Sequence, residues 1–344
     1  MKAAVFRAFG PPEVLRLDEV PEPRPGEGQV LIKVLAAGVN RLDHYIREGA
    51  ITTDLPLPHV LGSDIAGEVA EVGPSVSGLS VGERVLVAPG FPTDEADLYI
   101  HPASLAPSFT LPGLGRWGGY AQYVEAPARF VISDPTGLPP EEAATLPVVL
   151  ATSVRAVKEV GQVARGDHVL VQAGASGSGG MQIQVAKALG AKVATTVRNK
   201  AKRDLAQSLG ADLIIDPAAT DVAESVLEWT GGRGADVVID NLGGDVLAGS
   251  IASAKAGGAI VAYGFAAGAE VRFDVRDLFF KQRRLLGSMA ADPSDFRWGL
   301  EQVQAGRIRP VLDRVLPLAD AAEAHRLIAE NQVRGNLVLL PWAA

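Results

Sequence analysis

The stretch from Val169 to Gly190, VLVQAGASGSGGMQIQVAKALG, narrows the possible folds more than any other part of the chain. Val169-Leu170-Val171 is an all-apolar run suited to a strand buried on both faces, and Met181 to Leu189 predicts a helix stopped by Gly190. Between them the small residues and glycines from Ala173 to Gly180 predict a tight turn. A strand, a glycine turn and a helix N-terminus place backbone N–H groups and the positive end of a helix dipole where a pyrophosphate can sit. The glycines fall at 174, 177, 179 and 180, so a gapless G-x-G-x-x-G is absent. Gly174, Gly177 and Gly179 are candidates for cofactor contact, and Ser176 offers a hydroxyl to phosphate. A glycine-rich turn also serves as a mere connection, so the surrounding pattern has to decide.

That pattern repeats. Strands are predicted over 168–173, 192–197, 212–216, 235–240, 258–263 and near 284–289, with helices over 179–189, 199–209, 221–230 and 245–255 between them. Alternation of this kind implies an α/β fold with a doubly wound parallel sheet of about six strands, whose ligands bind at the carboxyl ends of the strands. Upstream, Pro139-Pro140-Glu141-Glu142 makes a helix start, with prolines early and acids in the first turn, and the helix is expected to run from Ala143 to Val160.

Residues 1 to about 125 read differently. Short period-two segments such as Gln29 to Val34 and Ala66 to Val72 are separated by turn signals, which predicts a β-rich domain. The irregular 88–118 segment is too long for a plain connection and is either functional or an elaborated surface lobe, packed by Phe91, Leu98, Tyr99, Phe109 and Trp117. After residue 290 come a helix near 294–305, another at 320–330 and an apolar strand from Asn336 to Leu340. This piece is too small for a domain and is expected to return to the first one. The expected division is 1–127 with 291–344, and 128–290.

Composition removes several function classes. There is no cysteine, and the five histidines (44, 59, 101, 168 and 325) form no H-x-H or H-x-x-x-H pair, so no metal site is expected. The net charge is −8 and no Lys/Arg cluster is interleaved with aromatics, which argues against a nucleic-acid partner. No apolar run approaches the roughly 20 residues of a membrane span. The N-terminus lacks a signal-peptide layout, so a cytoplasmic protein acting on a small molecule is the expectation.

The second predicted strand of the sheet carries the cofactor signal. An NAD-binding fold usually places an acid about 20 residues after the glycine turn, to hold a ribose hydroxyl. Here the positions read Thr196-Val197-Arg198-Asn199-Lys200, with Lys202 and Arg203 behind, and no carboxylate is available. Arg198 and Lys202 are placed to clasp a 2′-phosphate, which favours NADP(H). The alternative is a solvated basic helix start.

The motifs AAGVNRLDHYIREG (36–49), LPHVLGSDIAGEVAEVG (57–73), VLVQAGASGSGG (169–180) and GADVVIDNLGG (234–244) together resemble the medium-chain dehydrogenase/reductase superfamily, and within it the zinc-independent quinone oxidoreductase group. The likeness covers nearly the whole chain. It implies a Rossmann domain beside a GroES-like catalytic domain, a homodimer paired through the 284–289 strand, and hydride transfer to quinones or conjugated carbonyls. Zinc-dependent members place Cys, His and Cys around the reacting centre. By motif position Asn40 stands for the first Cys, and Ser63-Asp64 for a His-Glu pair.

The resemblance also supplies residue roles. It places Asn40 and Tyr45 beside the nicotinamide as hydrogen-bond donors, with Asp43 and Asp64 orienting neighbours. Thr152 resembles a position close to the nicotinamide carboxamide. Asn241 and the Gly264-Phe265 pair follow two strands at points where backbone passes near the ring. Each residue has a plainer reading: a turn former at Asn40, a core aromatic at Tyr45, a packing glycine at Gly264. Two departures from the family pattern stand in the glycine turn itself, Ser178 for a small aliphatic and Met181-Gln182 for a pair of alanines. An alcohol dehydrogenase-like enzyme and a non-catalytic NADPH-binding sensor or structural protein are the competing readings.

Overall fold

The computed structural model describes residues 1–343, apart from the side chain of Ala201. By its contacts the chain forms two units, one of Met1–Ala151 with Ala290–Gln304 and the chain from Pro310 onward, the other of Thr152–Met289 with Ala305–Arg309.

The second unit is built on a six-stranded parallel sheet. Its order across the sheet is Leu213–Ile215, Lys192–Thr196, His168–Val171, Ala235–Asp240, Ala254–Ala262 and Arg284–Gly287. The chain starts in the middle at His168–Val171, walks outward one way, then returns to Ala235–Asp240 and walks the other way. The sheet therefore has its switch point between these two central strands, where an open α/β sheet takes its ligand. Both strands are buried because Val169, Leu170, Val171, Val237, Val238 and Ile239 point into cores on the two faces. At the far edge, Arg284–Gly287 pairs on one side only, and Leu285 is 38% exposed.

One expected helix is not continuous. In place of Ala143 to Val160 the chain makes Pro140–Ala143, then Pro147–Val154, then a π-helical turn over Arg155–Val160. Pro147 has no N–H to donate to the preceding turn, so it ends one helix and starts the next.

In the first unit, a sheet runs in the order Val131–Ser133, Arg84–Val87, Asp64–Val72, Gln29–Val39, Asn336–Leu340, Leu312–Pro317, and Tyr123–Pro127 also pairs with Gln29–Val39. The C-terminal strand thus lies antiparallel on Gln29–Val39, with Leu337 opposite Val39 and Leu339 opposite Ala37. Val131–Ser133 pairs with Arg84–Val87, which seats residues just after 127 in this unit as well. The alternation of Val30, Ile32 and Val34 places one face of the long strand in the core. The 88–118 segment folds onto the same core. Its short strands Phe91–Pro92 and Phe109–Thr110 pair, Phe91 stacks on Phe130 at 4.7 Å, and the Asp292 carboxylate accepts the Ala103 N–H at 2.6 Å. Tyr99 does not pack it; that ring is 86% exposed. Among the described residues no helix is long and apolar enough to cross a membrane.

Candidate functional site

In the first unit Asn40, Asp43 and Asp64, three of the residues expected to act, gather behind the turn between strand Gln29–Val39 and helix Arg41–Glu48. Asn40 caps that helix, and the Asp43 carboxylate reaches back to accept the Asn40 N–H at 2.8 Å and, through its other oxygen, the Gly62 N–H at 3.0 Å. With its backbone fixed in this way, Asn40 donates its side-chain amide to Asp64 at 2.7 Å. The other Asp64 oxygen accepts the Val148 N–H at 2.6 Å. Gly38 makes this close approach possible, since a Cβ there would lie 2.4 Å from the Ala144 carbonyl oxygen and 2.7 Å from the Asp64 Cβ.

Both carboxyls are buried, Asp43 at 0% and Asp64 at 1% exposure. Burial raises Asp64 to about 7, opposed by the hydrogen bonds from Asn40 and Val148 and assisted by the neighbouring Asp43 charge. Asp43 is raised to about 6 by burial, against its backbone hydrogen bonds. Ser63 is not free to act, because its hydroxyl donates to the Pro112 carbonyl at 2.6 Å. Tyr45 is half-buried with its ring against His44 at 5.6 Å.

Behind this pair lie three residues that sequence reasoning did not single out. The Tyr120 hydroxyl is enclosed beside Asp43, and burial, then the Asp43 charge, hold it well above its ordinary value. The His325 ring meets the Tyr120 ring edge-on at 5.9 Å, and neither ring nitrogen has a hydrogen-bond partner among the described residues. Arg47 is wholly buried; one terminal nitrogen contacts His44 Nδ1 at 2.9 Å and Glu48 at 2.8 Å. Arg47 belongs to the 36–49 motif, so its placement was within reach. Tyr120 follows Gly118-Gly119 with no further signal, and nothing near His325 marks it.

In the second unit the glycine turn has the geometry that its residues predict. A Cβ on Gly174 would lie 2.1 Å from the Thr195 hydroxyl, and one on Gly179 would lie 2.2 Å from the Ala173 carbonyl oxygen. Only glycine lets the backbone pass so close. The helix runs over Gly177–Ala188. Ser176 caps it: its hydroxyl accepts the Gly179 N–H at 3.0 Å and donates to the Ala173 carbonyl at 2.8 Å. That hydroxyl is therefore committed to the turn, which corrects the expectation that its proton is held ready for phosphate. The first-turn N–H groups carry the anion-binding character instead.

The turn is tied to the next strand end through buried side chains. The Ala173 N–H donates to the Thr196 hydroxyl at 3.0 Å, Thr196 donates to Gln172 at 2.7 Å, Gln172 to Ser250 at 3.0 Å, and Ser250 to Asp240 at 2.6 Å. The other Asp240 oxygen accepts both the Leu242 and Gly243 N–H groups at 2.8 Å. Asn241 and the glycine turn are thereby held together across the switch point. Gly264 follows the Ala254–Ala262 strand, where a Cβ would lie 2.5 Å from the Asn241 carbonyl oxygen, and Phe265 is 40% exposed beside it. Arg198 is exposed just past Lys192–Thr196, and Lys202 is half-buried in the following Lys200–Ser208 helix. Thr152 is half-buried near the end of Pro147–Val154.

Gly174, Ser176, Gly177, Gly179, Arg198, Asn241, Gly264 and Phe265 thus lie at or just beyond the carboxyl ends of parallel strands. Among the described residues no group of three or more His, Cys, Asp or Glu side chains is placed to hold a metal ion.

Two family models match the chain, the alcohol dehydrogenase GroES-like domain over residues 26–136 and the zinc-binding dehydrogenase over residues 177–305. A 2-haloacrylate reductase of Burkholderia sp is 33% identical, covering 99% of this chain and 99% of its own. A quinone oxidoreductase of Pseudomonas aeruginosa is 31% identical, with 99% of each covered. The crystal structure of an NAD-dependent alcohol dehydrogenase superposes with a TM-score of 0.93 at 37% identity, again covering 99% of each chain.

Proposed function

The chain belongs to the medium-chain dehydrogenase/reductase superfamily of oxidoreductases, and on that premise we propose that it is a zinc-independent reductase passing hydride from NADPH to a quinone or an α,β-unsaturated carbonyl. The observation that carries the reading is the buried Asn40–Asp64 pair. By family position an amide and a hydroxyl, Asn40 and Ser63, stand for a thiolate and an imidazole; Asn40 gives one of its two amide N–H groups to Asp64, and Ser63 gives its proton to the Pro112 carbonyl. This donor set does not fit zinc, which takes Cys, His and carboxylate ligands.

The second unit fits a dinucleotide: Gly174 and Gly179 leave a turn that any Cβ would fill, and the first turn of the following helix presents its N–H groups there. Gly174, Gly177 and Gly179 would line the pyrophosphate, Thr152, Asn241, Gly264 and Phe265 would hold the nicotinamide half, and Arg198 with Lys202 the 2′-phosphate. A bound dihydronicotinamide supplies the hydride. Asn40 and Tyr45 donate hydrogen bonds to the acceptor oxygen, where negative charge develops as hydride arrives. Asp43 fixes the Asn40 backbone and Asp64 the Asn40 amide, so the donor is aimed before the acceptor binds. Quinones and conjugated carbonyls spread that charge over several atoms and so manage with such donors, whereas alcohol oxidation also needs a Lewis acid or a general base to deal with the hydroxyl proton.

A screen of NADPH oxidation against quinones, enals and enones, with NADH in parallel, tests the reading. Turnover with those acceptors supports it. Alcohol oxidation alone would place the chain with alcohol dehydrogenases, the activity of its structural relative. Dinucleotide binding without turnover on any acceptor would make it a sensor or structural protein.

We also read the protein as a homodimer joined through the Arg284–Gly287 edge. Phe279, Phe280 and Met289 beside that edge are 55%, 71% and 58% exposed, and the edge strand offers its free backbone groups to a second copy. Light scattering on Leu285→Glu, which puts a charge on that edge, should report monomers.

A further inference from the structure

The two places where the glycine turn departs from the family pattern, Ser178 and Gln182, meet in space. They are four residues apart on one face of the Gly177–Ala188 helix, and that face looks toward Asn241 and Tyr263, which follow the Ala235–Asp240 and Ala254–Ala262 strands. The Asn241 amide nitrogen reaches the Ser178 hydroxyl at 3.4 Å, across the switch point of the sheet. The Tyr263 hydroxyl stands beside Ser178, Gln182 and Asn241 at once.

The group is polar, enclosed and incompletely bonded. Gln182 is 0% exposed, and neither its oxygen nor its nitrogen has a hydrogen-bond partner among the described residues. The same is true of Asn241 Oδ1 and the Tyr263 hydroxyl. Burial pushes the Tyr263 hydroxyl up to about 12, so it keeps its proton and can donate at any pH near neutrality. A helix that needed only to pack would place an apolar side chain at 182, because a buried amide without partners is costly. The remaining three groups sit on separate elements, so no single turn or cap accounts for them.

We infer that Gln182 and Tyr263 are positioning residues for the bound dinucleotide, setting the Ser178 hydroxyl and the Asn241 carboxamide on either side of the switch point. This rests on the reading of the second unit as the cofactor site. The four groups are only approximately paired, and this role requires that they close on one another once Asn241 meets the ligand.

Gln182→Leu and Tyr263→Phe test it, because each removes hydrogen-bonding capacity and nearly keeps the volume. Dissociation constants for NADPH and NADH are measured by titration, together with Tm and steady-state constants. Each variant should weaken both dinucleotides together by about threefold to tenfold, the size of one lost neutral hydrogen bond. The cofactor KM should rise while the saturated kcat stays within about twofold. Tm should hold or increase, and the double variant should fall short of the product of the singles, as one network requires. Unchanged dissociation constants in Tyr263→Phe, the variant least able to disturb folding, would overturn the inference. So would losses that track a falling Tm and vanish for well-folded Gln182→Met. A wild-type protein that binds neither dinucleotide would instead bring down the cofactor reading, and this one with it.

Discussion

Asn40 donates its side-chain amide to the Asp64 carboxyl at 2.7 Å, and with Asp64 only 1% exposed the pair behaves as one buried unit. Its carboxyl is held protonated up to about pH 7 when folded, against an ordinary value of 3.8. Between those limits the unfolded chain binds fewer protons than the folded one, so stability falls as pH rises from about 4 to about 7 and is level beyond. The span corresponds to roughly 4 kcal/mol as an order of magnitude. In Asp64→Asn the Asn40 amide can turn over to accept, which keeps the pair while removing the titration. Urea midpoints at about pH 5 and pH 8 should show the variant gaining on the wild type at the higher pH. A gap that is the same at both would mean that Asp64 ionises normally.

Arg198 leads into the helix that follows Lys192–Thr196, and the strand end Thr196-Val197-Arg198-Asn199-Lys200 itself carries no carboxylate for a ribose hydroxyl. Replacing Arg198 and Lys202 with alanine should raise the NADPH dissociation constant by about tenfold to a hundredfold or more, since a charge-assisted hydrogen bond contributes roughly 1.5–3 kcal/mol. NADH binding should hardly change. Equal losses for both dinucleotides would show that the pair does not read the 2′-phosphate.

Gly179 passes the Ala173 carbonyl so closely that an added Cβ would sit 2.2 Å from its oxygen. Gly179→Ala must therefore push the glycine turn away from its strand, at a cost of about 1–3 kcal/mol by overpacking. Calorimetry should give a lower Tm and titration a weakened dinucleotide. Gly249, in the Gly244–Ser253 helix, has nothing among the described residues beyond its own helix backbone and chain neighbours within 4 Å of an added Cβ, so Gly249→Ala should stabilise by roughly 0.5–1 kcal/mol and leave binding alone. If both variants behave alike, the close approach at Gly179 is not what the turn needs.

What could be read from the residues divides by the range of the interactions involved. The six strands of the parallel sheet announced themselves because hydrophobic runs and glycine stops are local; crossover rules narrow their order, and the structure supplies it. The break at Pro147 was also local, and the proline should have outweighed the apolar run around it. Ser176 is a different case: a serine before a helix offers both a cap and a ligand contact, and only the turn geometry assigns its proton to Ala173. The cluster of Arg47, Tyr120 and His325 joins three segments far apart in the chain. No pattern within any one of them encodes the meeting; it depends on how the helices and the C-terminal strand settle on the long central strand.

His325 is 0% exposed, both its ring nitrogens lack hydrogen-bond partners among the described residues, and the Arg47 guanidinium lies close enough for its charge to act on the ring. Burial first, and then the charge of Arg47, hold it well below its ordinary value of 6.5, so the folded protein keeps the ring neutral. Once unfolded, the ring takes up a proton below about pH 6.5. The unfolded state then binds the extra proton, so stability present above that pH drains away as the pH falls, the opposite sign to Asp64. His325→Phe keeps a flat ring against Tyr120 and has no proton to gain. The variant should therefore lose less stability than the wild type between about pH 7 and pH 5, read as the shift in urea midpoint over that interval. Parallel midpoints for the two proteins would mean that His325 finds a partner able to stabilise its charge, and that the pocket is wetter than its burial implies.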